Sequence, residues 1–325
     1  MRFTHFCSTA ALVIGGAFGV TPAHAADVYP STTIKIISPH QAGSTTETFG
    51  RMLSVEMGEL LGQPIIIESH AGAGGTIGAR EVALSKPDGY TALMNASIQV
   101  MYPGMYKNLS FDPIKDFTPV GVFGFAPMVV VVGEQSSIKS FKDMIDTARA
   151  NPTKLSFASG GRGSLPHLVG EVVNERSNVK MTHIAYNGTG HALIDVTGGH
   201  VDILYASVAS AAPLIKSGKL RALAVTSAKR VDLLPEVPTI AESGLPDFDV
   251  TSWYALWMPK NTPKEIVDKV NKAMRDASAK PAVQERLKQN GMIPSTLTAE
   301  QFAAFCSAES ARWLAVMKRA NIQAE

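Results

Sequence analysis

Cysteine and charge are both scarce in this chain, and each scarcity excludes a class of protein. Two cysteines among 325 residues exclude a disulfide scaffold and a cysteine-rich zinc module. Charged residues make up 18% of the chain and hydrophobic residues 45%, which is too apolar for an intrinsically disordered protein. The formal net charge of +2 gives no basic excess for a phosphate backbone, so we expect no nucleic-acid partner.

The first 25 residues have the pattern of a secretory signal peptide. A short basic start with Arg2 precedes an apolar run over 10–20, and an Ala-x-Ala sequence ends at Ala25. The apolar run is too short to span about 30 Å of hydrocarbon. Cys7 precedes this run, so it does not stand where a lipoprotein would carry its lipid. We therefore expect a signal peptide over 1–25, cleavage after Ala25 and a mature chain in the periplasm.

The mature chain must be held together by its hydrophobic core. Cleavage would leave Cys306 as its single cysteine, so an intrachain disulfide is impossible. A chain of about 300 residues can bury enough apolar surface without one. No stretch after residue 25 reaches the ~18 apolar residues of a membrane-spanning helix.

Short apolar runs alternate with longer amphipathic segments along the mature chain. Most of these runs are continuous rather than alternating, which is typical of strands covered on both faces. The β-α-β-α order predicts a mainly parallel α/β sheet. The strand candidates are 34–37, 65–68, 91–94, 128–132, 155–158, 182–186, 203–205, 220–225 and 253–257.

Four helices begin with clear signals. Ser44 and Glu47 fit a capping box, in which Glu47 reaches back to the cap amide, and Gly62 ends this first helix. A second helix follows the glycines of 72–75. The stretches 262–265 and 298–301 open two further helices, the last over 297–320. The predicted buried stripes are Phe49, Leu53, Met57 and Leu60 in the first helix and Phe302, Phe305, Trp313 and Met317 in the last.

No clean linker divides the chain, although its length suggests about two domains. Two domains without a linker indicate that the chain crosses between them more than once. The apolar segments 122–132 and 250–259 are the best crossing candidates. We therefore predict a discontinuous domain over 26–124 plus 251–325 and an inserted domain over 125–250.

Several catalytic and cofactor motifs are incomplete. The glycine-rich 72–78 has Ile77 where a dinucleotide fingerprint needs its third glycine, so we interpret it as a helix start that allows close backbone approach. No G-x-S-x-G elbow occurs. The six histidines after Ala25 lack H-x-x-x-H or H-x-H spacing. We therefore expect neither a metal nor a cofactor.

Four small, polar, glycine-rich loops follow predicted strands, at 38–46, 95–97, 158–164 and 186–189. Ligands of open parallel sheets bind outside the carboxyl ends of the strands. A helix N-terminus there offers free N–H groups and a positive dipole end, which favour an anion. Two such loops from each domain would form a clamp for a small carboxylate, although ordinary βα turns are also rich in glycine and serine.

The candidate ligand-binding residues lie in or near these loops. Arg162 would pair a carboxylate, His167 would donate to it, and Tyr186 and Tyr205 would line the cleft beside an aromatic acid. The alternatives are a solvated arginine, a histidine packed on its own loop and core tyrosines. The full set is His40, Ala42, Gly43, Ser44, Thr45, Thr46, Asn95, Ser97, Ser159, Gly160, Arg162, Gly163, Ser164, His167, Tyr186, Asn187, Gly188, Thr189 and Tyr205.

A family resemblance runs through the whole mature chain. Each matching motif is short, but their order and spacing together are specific. The chain resembles the extracytoplasmic solute receptors of tripartite tricarboxylate transporters, the Bug receptors. The motifs are 72–79, 87–91, 116–120, His167-Leu168 with Glu171, 186–188 before Ala192-Leu193, 198–202, 218–226, 235–244 and 259–263.

The resemblance implies a fold, a ligand class and a partner. The fold would be that of a type II periplasmic binding protein, with two doubly wound domains that are joined by crossing strands and close on a ligand. The ligand would be a small organic acid, handed to a membrane transporter of one large and one small subunit. Members of the family bind a carboxylate largely through backbone amides and waters. The resemblance implies that the loops 39–47, 159–167 and 186–189 do so in this chain.

Two loops depart from the family pattern. The usual Pro-Gly-Gly of the first loop is Ala42-Gly43-Ser44, and Glu47 stands at the usual Asp position. The usual Lys after the tyrosine is Asn187, which removes a positive charge that Arg162 or His191 would have to restore. These departures bear on the substrate more than on the fold.

The sequence therefore predicts a monomeric solute receptor without catalysis. It would capture a di-, tri- or aromatic carboxylate by domain closure and deliver it to membrane transporter subunits. A ligand-sensing partner of a membrane sensor kinase would use the same binding chemistry. A secreted esterase or amidase is a further alternative, with Ser159 or Ser164 paired with His167.

Overall fold

The structure, a computed structural model, describes residues 29–186 and 188–322. The predicted signal peptide, Cys7 and Asn187 therefore lie outside the described residues. The strands are β1 Ile34–Ser38, β2 Ile65–Ser69, β3 Thr91–Ala96, β4 Phe117–Gly133, β5 Ser156–Ser159, β6 Thr182–Ala185, β7 Ile203–Ser207, β8 Leu220–Val225, β9 Thr251–Pro259 and β10 Ile293–Pro294. The α-helices are α1 Thr45–Leu61, α2 Thr76–Ala83, α3 Tyr102–Met105, α4 Phe141–Ala150, α5 Leu165–Ser177, α6 Thr189–Gly198, α7 Val208–Lys216, α8 Lys264–Ala279, α9 Pro281–Gln289 and α10 Ala299–Arg319.

The strands form one mixed sheet in the order β2-β1-β3-β9-β4-β7-β5-β6, with β8 and β10 also paired to β4. The flanks are parallel, as predicted: β1 pairs with β2 and β3, and β5 pairs with β6 and β7. The centre is antiparallel, because β4 and β9 run against their neighbours. The prediction of a mainly parallel sheet thus holds for the flanks and is wrong for the centre.

The long strand β4 carries the chain from one half of the sheet to the other. From Phe117 to Pro127 it pairs with β9, and from Met128 onwards it pairs with β7 and β8. The chain returns just before β9, where the Val250 amide donates to the Thr226 carbonyl at 2.9 Å. Crossing segments therefore connect the two halves. The carboxyl ends of β1 and β7, one in each half, lead into loops that line a common cleft.

Helix α10 packs in both halves. Phe302 near its start lies in a hydrophobic cluster with β1, β3 and β9, while Trp313 lies in a cluster with β5, β7 and α5. The second half of α10 belongs to 251–325 in sequence, but it shares a hydrophobic core with the segment 125–250 that was predicted to form the inserted domain. The domain limits themselves stay a prediction.

The helix-start signals are confirmed in part. Ser44 caps α1 by accepting from the Glu47 amide, and Thr298 forms a full capping box on α10. The signal at 262–265 is wrong in detail, since α8 follows Pro263 without a side-chain cap. The predicted α1 stripe also shifts at its end, because Leu60 is 44% exposed and Leu61 is buried.

The glycine-rich 72–78 is a helix start packed on backbone, as interpreted from the sequence. Helix α2 begins after Gly75, and a Cβ added at Gly78 would lie 2.9 Å from the His70 carbonyl oxygen and 3.0 Å from Cα of Pro39. Helix α2 therefore supports the loop after β1 at contact distance. None of the helices in the described ranges combines the length and the hydropathy needed to cross a membrane.

Candidate functional site

A cavity of about 270 Å³ lies in the cleft between the start of α1 and the start of α7. Its volume is just below the ~300–1,000 Å³ typical of pockets for drug-sized ligands, so it suits a smaller molecule. No described residue that lines it carries a formal charge. The lining residues are Gly43, Thr45, Thr48, Phe49, Ala126, Pro127, Ser207, Val208, Ala209, Ser210, Tyr254, Asn290 and Gly291.

The start of α1 forms one wall of this cavity. Ser44 is extended (φ −61°, ψ 156°), and its hydroxyl accepts from the Glu47 amide at 3.4 Å. The amides of Thr45 and Thr46 belong to the first turn, where a helix provides no internal partner. Gly43 has a left-handed φ of +78°, which favours glycine, and it lies exposed beside the cavity. This wall therefore presents N–H groups and the positive end of a 17-residue helix.

Glu47 fixes the loop from below. Its carboxylate is 4% exposed and accepts from the Gly43 amide at 2.7 Å, from Ser69 Oγ at 3.2 Å and from Arg51 Nε at 2.8 Å. The predicted reach-back thus ends on Gly43 rather than on the cap residue Ser44. The Arg51 guanidinium, and then the Gly43 amide, hold the pKa of the carboxyl below its usual range. Arg51 balances the negative charge, so Glu47 can order this wall beside an anion.

The start of α7 forms the opposite wall. Ser207 is extended (φ −62°, ψ 141°), and its hydroxyl accepts from the Ser210 amide at 3.2 Å. The hydroxyls of the two serines lie 2.7 Å apart. The sequence analysis missed this wall, although a serine cap after the predicted strand 203–205 was visible in the Ser-x-x-Ser pattern.

Tyr254 on the crossing strand β9 forms part of the cavity floor, and sequence reasoning missed it as well. Its ring lies 5.0 Å from that of Phe49, and its hydroxyl bonds with Ser252 and Thr45. Burial raises the pKa of this phenol to about 12, so it stays protonated and can donate. A lone tyrosine in an apolar strand carries no signal that it lines a cavity.

The loop between β5 and α5 starts beside the Ser207 wall, because β5 and β7 are adjacent and parallel. Ser164 caps no amide of α5; its hydroxyl instead donates to the Gly161 carbonyl at 2.6 Å. Gly163 is buried against Met105 of α3. Arg162 is exposed and makes no ion pair with the residues that the structure describes. This loop borders the cleft without lining the 270 Å³ cavity.

The start of α6 adjoins the same loop. The Gly188 amide donates to the Gly160 carbonyl at 3.1 Å, and Thr189 follows as the first residue of α6. The Tyr186 hydroxyl donates to Asp195 of α6 at 2.7 Å, and burial raises its pKa to about 12. The Tyr186 hydroxyl is therefore bonded to the helix that follows it.

His40 and Asn95 form a supporting network behind the first loop, and Ser97 is buried next to Asn95 in the chain. His40 Nε2 lies 2.9 Å from Asn95 Oδ1, and the Asn95 amide donates to Gln99 at 2.9 Å. Asn95 and Ser97 are almost fully buried, and burial lowers the pKa of His40. Among their neighbours in the first loop, Ala42 and Thr45 are exposed while Thr46 is buried.

Tyr205 does not line the cleft, which corrects the expectation from the sequence. It is fully buried, its ring meets Phe157 edge-on at 5.9 Å, and its hydroxyl has no partner among the described residues. His167 is 5% exposed and accepts from the Gly163 amide at Nδ1 over 3.0 Å. Of the two alternatives for His167, the structure therefore supports packing on its own loop.

The serine–histidine pairs proposed for a hydrolase do not form with His167. Ser159 Oγ lies 2.7 Å from Nε2 of His183, a residue that the sequence analysis did not single out. Ser159 is fully buried, so a substrate from solvent has no access to its hydroxyl. In the described ranges no group of His, Cys, Asp and Glu is arranged to hold a metal ion.

A larger cavity of about 460 Å³ lies on the other face of the crossing strands. Phe125 lines it and Ala126 lines the cleft cavity, as expected because successive side chains of a strand face opposite sides. Phe305 and Arg312 of α10 form its far wall. None of its described lining residues belongs to the start of α1 or α7.

Comparisons with known proteins agree with this geometry. The family model described as the tripartite tricarboxylate transporter family receptor matches residues 49–322. Protein BugT of Bordetella pertussis is 32% identical over 320 residues, which cover 98% of each chain. Among solved structures, R. palustris Rpa4515 with adipate is 30% identical with a TM-score of 0.80, over 91% of this chain and all of the other. MatC from Rhodopseudomonas palustris with bound malate is 31% identical with a TM-score of 0.73, over 89% and 99%. The chain therefore belongs to the tripartite tricarboxylate transporter receptor family, the Bug receptors, and has the two-lobed α/β fold of a periplasmic binding protein of type II.

Proposed function

We propose that the chain is a periplasmic receptor that captures a small dicarboxylate between α1 and α7 and releases it unchanged to a tripartite tricarboxylate-type membrane transporter. One observation carries this proposal: the N-termini of α1 and α7 line an uncharged cavity from opposite sides. Each favours a negative group. A molecule with a carboxylate at both ends satisfies both walls, while Phe49 and Pro127 provide apolar contact between them.

The lack of cationic side chains does not argue against an anionic ligand. A carboxylate held by backbone N–H groups and hydroxyls makes charge-assisted hydrogen bonds, each worth about 1.5–3 kcal/mol. Rpa4515 with adipate and MatC with malate support the same ligand class, since both bound molecules are dicarboxylates. Tricarboxylates and aromatic carboxylates are the other members of the class to test.

Closure of the cleft would couple binding to delivery. The two cavity walls come from chain segments on either side of the crossing strand β4, so a ligand that touches both stabilises the closed arrangement by differential affinity. The partners would be the membrane subunits of the transporter. We propose a monomer, exported by a signal peptide that is cleaved after Ala25.

Thr45→Pro tests the role of the α1 amides directly. Thr45 is the first residue of α1, where proline is well tolerated, and Ser44 already has the extended backbone that precedes a proline. The substitution removes one N–H group facing the cleft and should weaken dicarboxylate binding about tenfold or more, the scale of one charge-assisted hydrogen bond. The melting temperature without ligand should change little.

Thr45→Val is the matched control, because it removes the hydroxyl that bonds with Tyr254 but keeps the amide. Calorimetric titration with malate and adipate compares the two variants. Equal affinities of Thr45→Pro and Thr45→Val would show that the Thr45 amide does not contribute to ligand binding.

A melting-shift screen tests the ligand class as a whole, because a ligand that binds only the folded chain raises its melting temperature. Mono-, di-, tri- and aromatic carboxylates are compared at one pH with sugars and divalent metals. We expect the largest shift from a dicarboxylate, recovered unchanged afterwards. Shifts confined to sugars or metals would contradict the proposal, and turnover of the bound acid would indicate an enzyme.

A further inference from the structure

Two histidine rings are stacked directly behind the loop between β5 and α5. The rings of His167 on α5 and His183 on β6 lie 3.6 Å apart and only 11° from parallel. Phe157 packs against the ring of His183 at 5.0 Å. Neither histidine faces the cleft cavity, and neither has a role in the proposed ligand contacts.

Each histidine holds one glycine of the loop. The Gly163 amide donates to Nδ1 of His167 at 3.0 Å. Ser159 Oγ lies 2.7 Å from Nε2 of His183. The same hydroxyl accepts a hydrogen bond from the Gly161 amide at 3.2 Å and donates one to the Gly161 carbonyl at 2.9 Å. Nε2 of His183 donates to the Ser159 hydroxyl in the tautomer that leaves the single hydroxyl hydrogen for the Gly161 carbonyl.

Gly161 and Gly163 have backbone conformations that glycine can adopt but does not prefer over others. Gly161 and Gly163 have φ values of +153° and +75°. Glycine reaches such values readily, and it reaches others as readily, so an external anchor must select them. The two histidines provide that anchor through buried hydrogen bonds.

The anchor at Gly163 exists only while the His167 ring is neutral. An imidazole nitrogen accepts a hydrogen bond only without its own proton, and a protonated ring has two donors and no acceptor. Protonation of His167 would therefore break the bond to Gly163 and leave a buried amide unpaired. Histidine is the side chain that changes charge between about pH 5 and 8.

The groups around the pair determine which ring takes a proton. Glu171 Oε1 lies 3.6 Å from Nε2 of His167. Burial first, and then His167, lower the pKa of His183 to about 4, and Arg162 acts in the same direction. From β7, Tyr205 adds a neutral phenol, since burial raises its pKa. His183 therefore stays neutral as the pH falls, and of the two rings only His167 has a carboxylate beside it.

We propose that His167 is a positioning residue for ligand binding, which holds the β5–α5 loop through the Gly163 amide and releases it on acidification. This inference rests on the proposed function, because the loop borders the carboxylate cleft. His183 has the parallel role for Gly161 through Ser159. The affinity for a dicarboxylate then falls as the pH falls.

His167→Asn and His167→Leu test the inference, with malate and adipate as probes at pH 7.5 and 5.5. The Asn side chain places an oxygen acceptor near the position of Nδ1 and does not titrate, whereas Leu has no acceptor. At pH 7.5 we expect near-normal affinity for His167→Asn and a loss of about tenfold for His167→Leu, whose Gly163 amide is left unpaired. His200→Asn, at an exposed histidine of the same half, is the matched control.

The pH dependence distinguishes positioning from general damage. Between pH 7.5 and 5.5 the wild type and His200→Asn should weaken towards the value of His167→Leu, while His167→Asn weakens much less. Protonation of the probe itself affects all four proteins equally and cancels. The same pH dependence in wild type and His167→Asn, or full affinity in His167→Leu at pH 7.5, would overturn the inference.

The anchor is also measurable without a ligand. The hydrogen-exchange protection factor of the Gly163 amide should fall on acidification in the wild type and remain in His167→Asn. Unchanged protection in the wild type would contradict the anchor. Failure of the wild type to bind any carboxylate at pH 7.5 would instead contradict the proposed function, and the exchange measurement would still decide whether His167 holds the loop.

Discussion

Gly78→Ala tests whether α2 sets the position of the first binding loop. The added Cβ would lie 2.9 Å from the His70 carbonyl oxygen and 3.0 Å from Cα of Pro39, and both are backbone atoms that cannot turn aside. Overpacking of this kind costs about 1–3 kcal/mol. Replacing glycine in a helix returns about 0.8–1.0 kcal/mol, so we expect a net loss of up to about 2 kcal/mol. Pro39 should move with the loop, so dicarboxylate affinity should fall as well.

Gly190→Ala is the matched control for this substitution. Gly190 lies in the first turn of α6, and an added Cβ there would meet nothing within 4 Å. It should therefore gain about 0.5–1 kcal/mol from helix propensity alone. Urea unfolding measures both free energies of unfolding. A Gly78→Ala chain at least as stable as Gly190→Ala would refute the contact between α2 and the loop.

Three further predictions concern single side chains. Glu47→Gln should make folding less sensitive to acid. The pKa of Glu47 is lowered in the folded state, chiefly by Arg51, so its contribution to stability is present above the unfolded-state pKa and is lost as the pH falls through the folded-state pKa. The melting temperature of the wild type should therefore drop more steeply than that of Glu47→Gln below about pH 4.5. Tyr205→Phe should leave the free energy of unfolding unchanged or raise it by about 1 kcal/mol, because it removes a buried hydroxyl that has no partner among the described residues; a loss above about 2 kcal/mol would contradict this. Cys306 should resist a maleimide in the folded chain and react on unfolding, because burial raises its pKa to about 12; fast labelling of the native chain would contradict its placement.

The strands and helix starts were predictable because they depend on local pattern. Every strand predicted from an apolar run overlaps a strand of the structure, and the capping signal at Thr298 is a complete capping box there. The antiparallel centre was not predictable in the same way. The strand β4 begins at Phe117, well before the run 128–132, because pairing with β9 extends it through Pro119, Gly121 and Gly124. Such pairing depends on partners more than 100 residues away in sequence.

The candidate site was predictable where a loop both follows a strand and starts a helix. Gly43 and Thr45 were singled out on that basis and line the cleft cavity. Tyr254 and Asn290 were missed, because each reaches the cavity only through the way distant segments pack. For Tyr205 the sequence leaves a cleft position and a core position open, because it does not tell which face of β7 the side chain occupies.

The central claim is that a carboxylate binds at the helix N-termini in the cleft, and a crystal structure of the mature chain with malate or adipate tests it most directly. We predict one carboxylate within about 3.2 Å of the amide nitrogens of Thr45 or Thr46. We predict the other within the same distance of the amides or serine hydroxyls at the start of α7. A dicarboxylate found only in the 460 Å³ cavity beside Phe125 and Arg312, with the cleft free of it, would contradict the account.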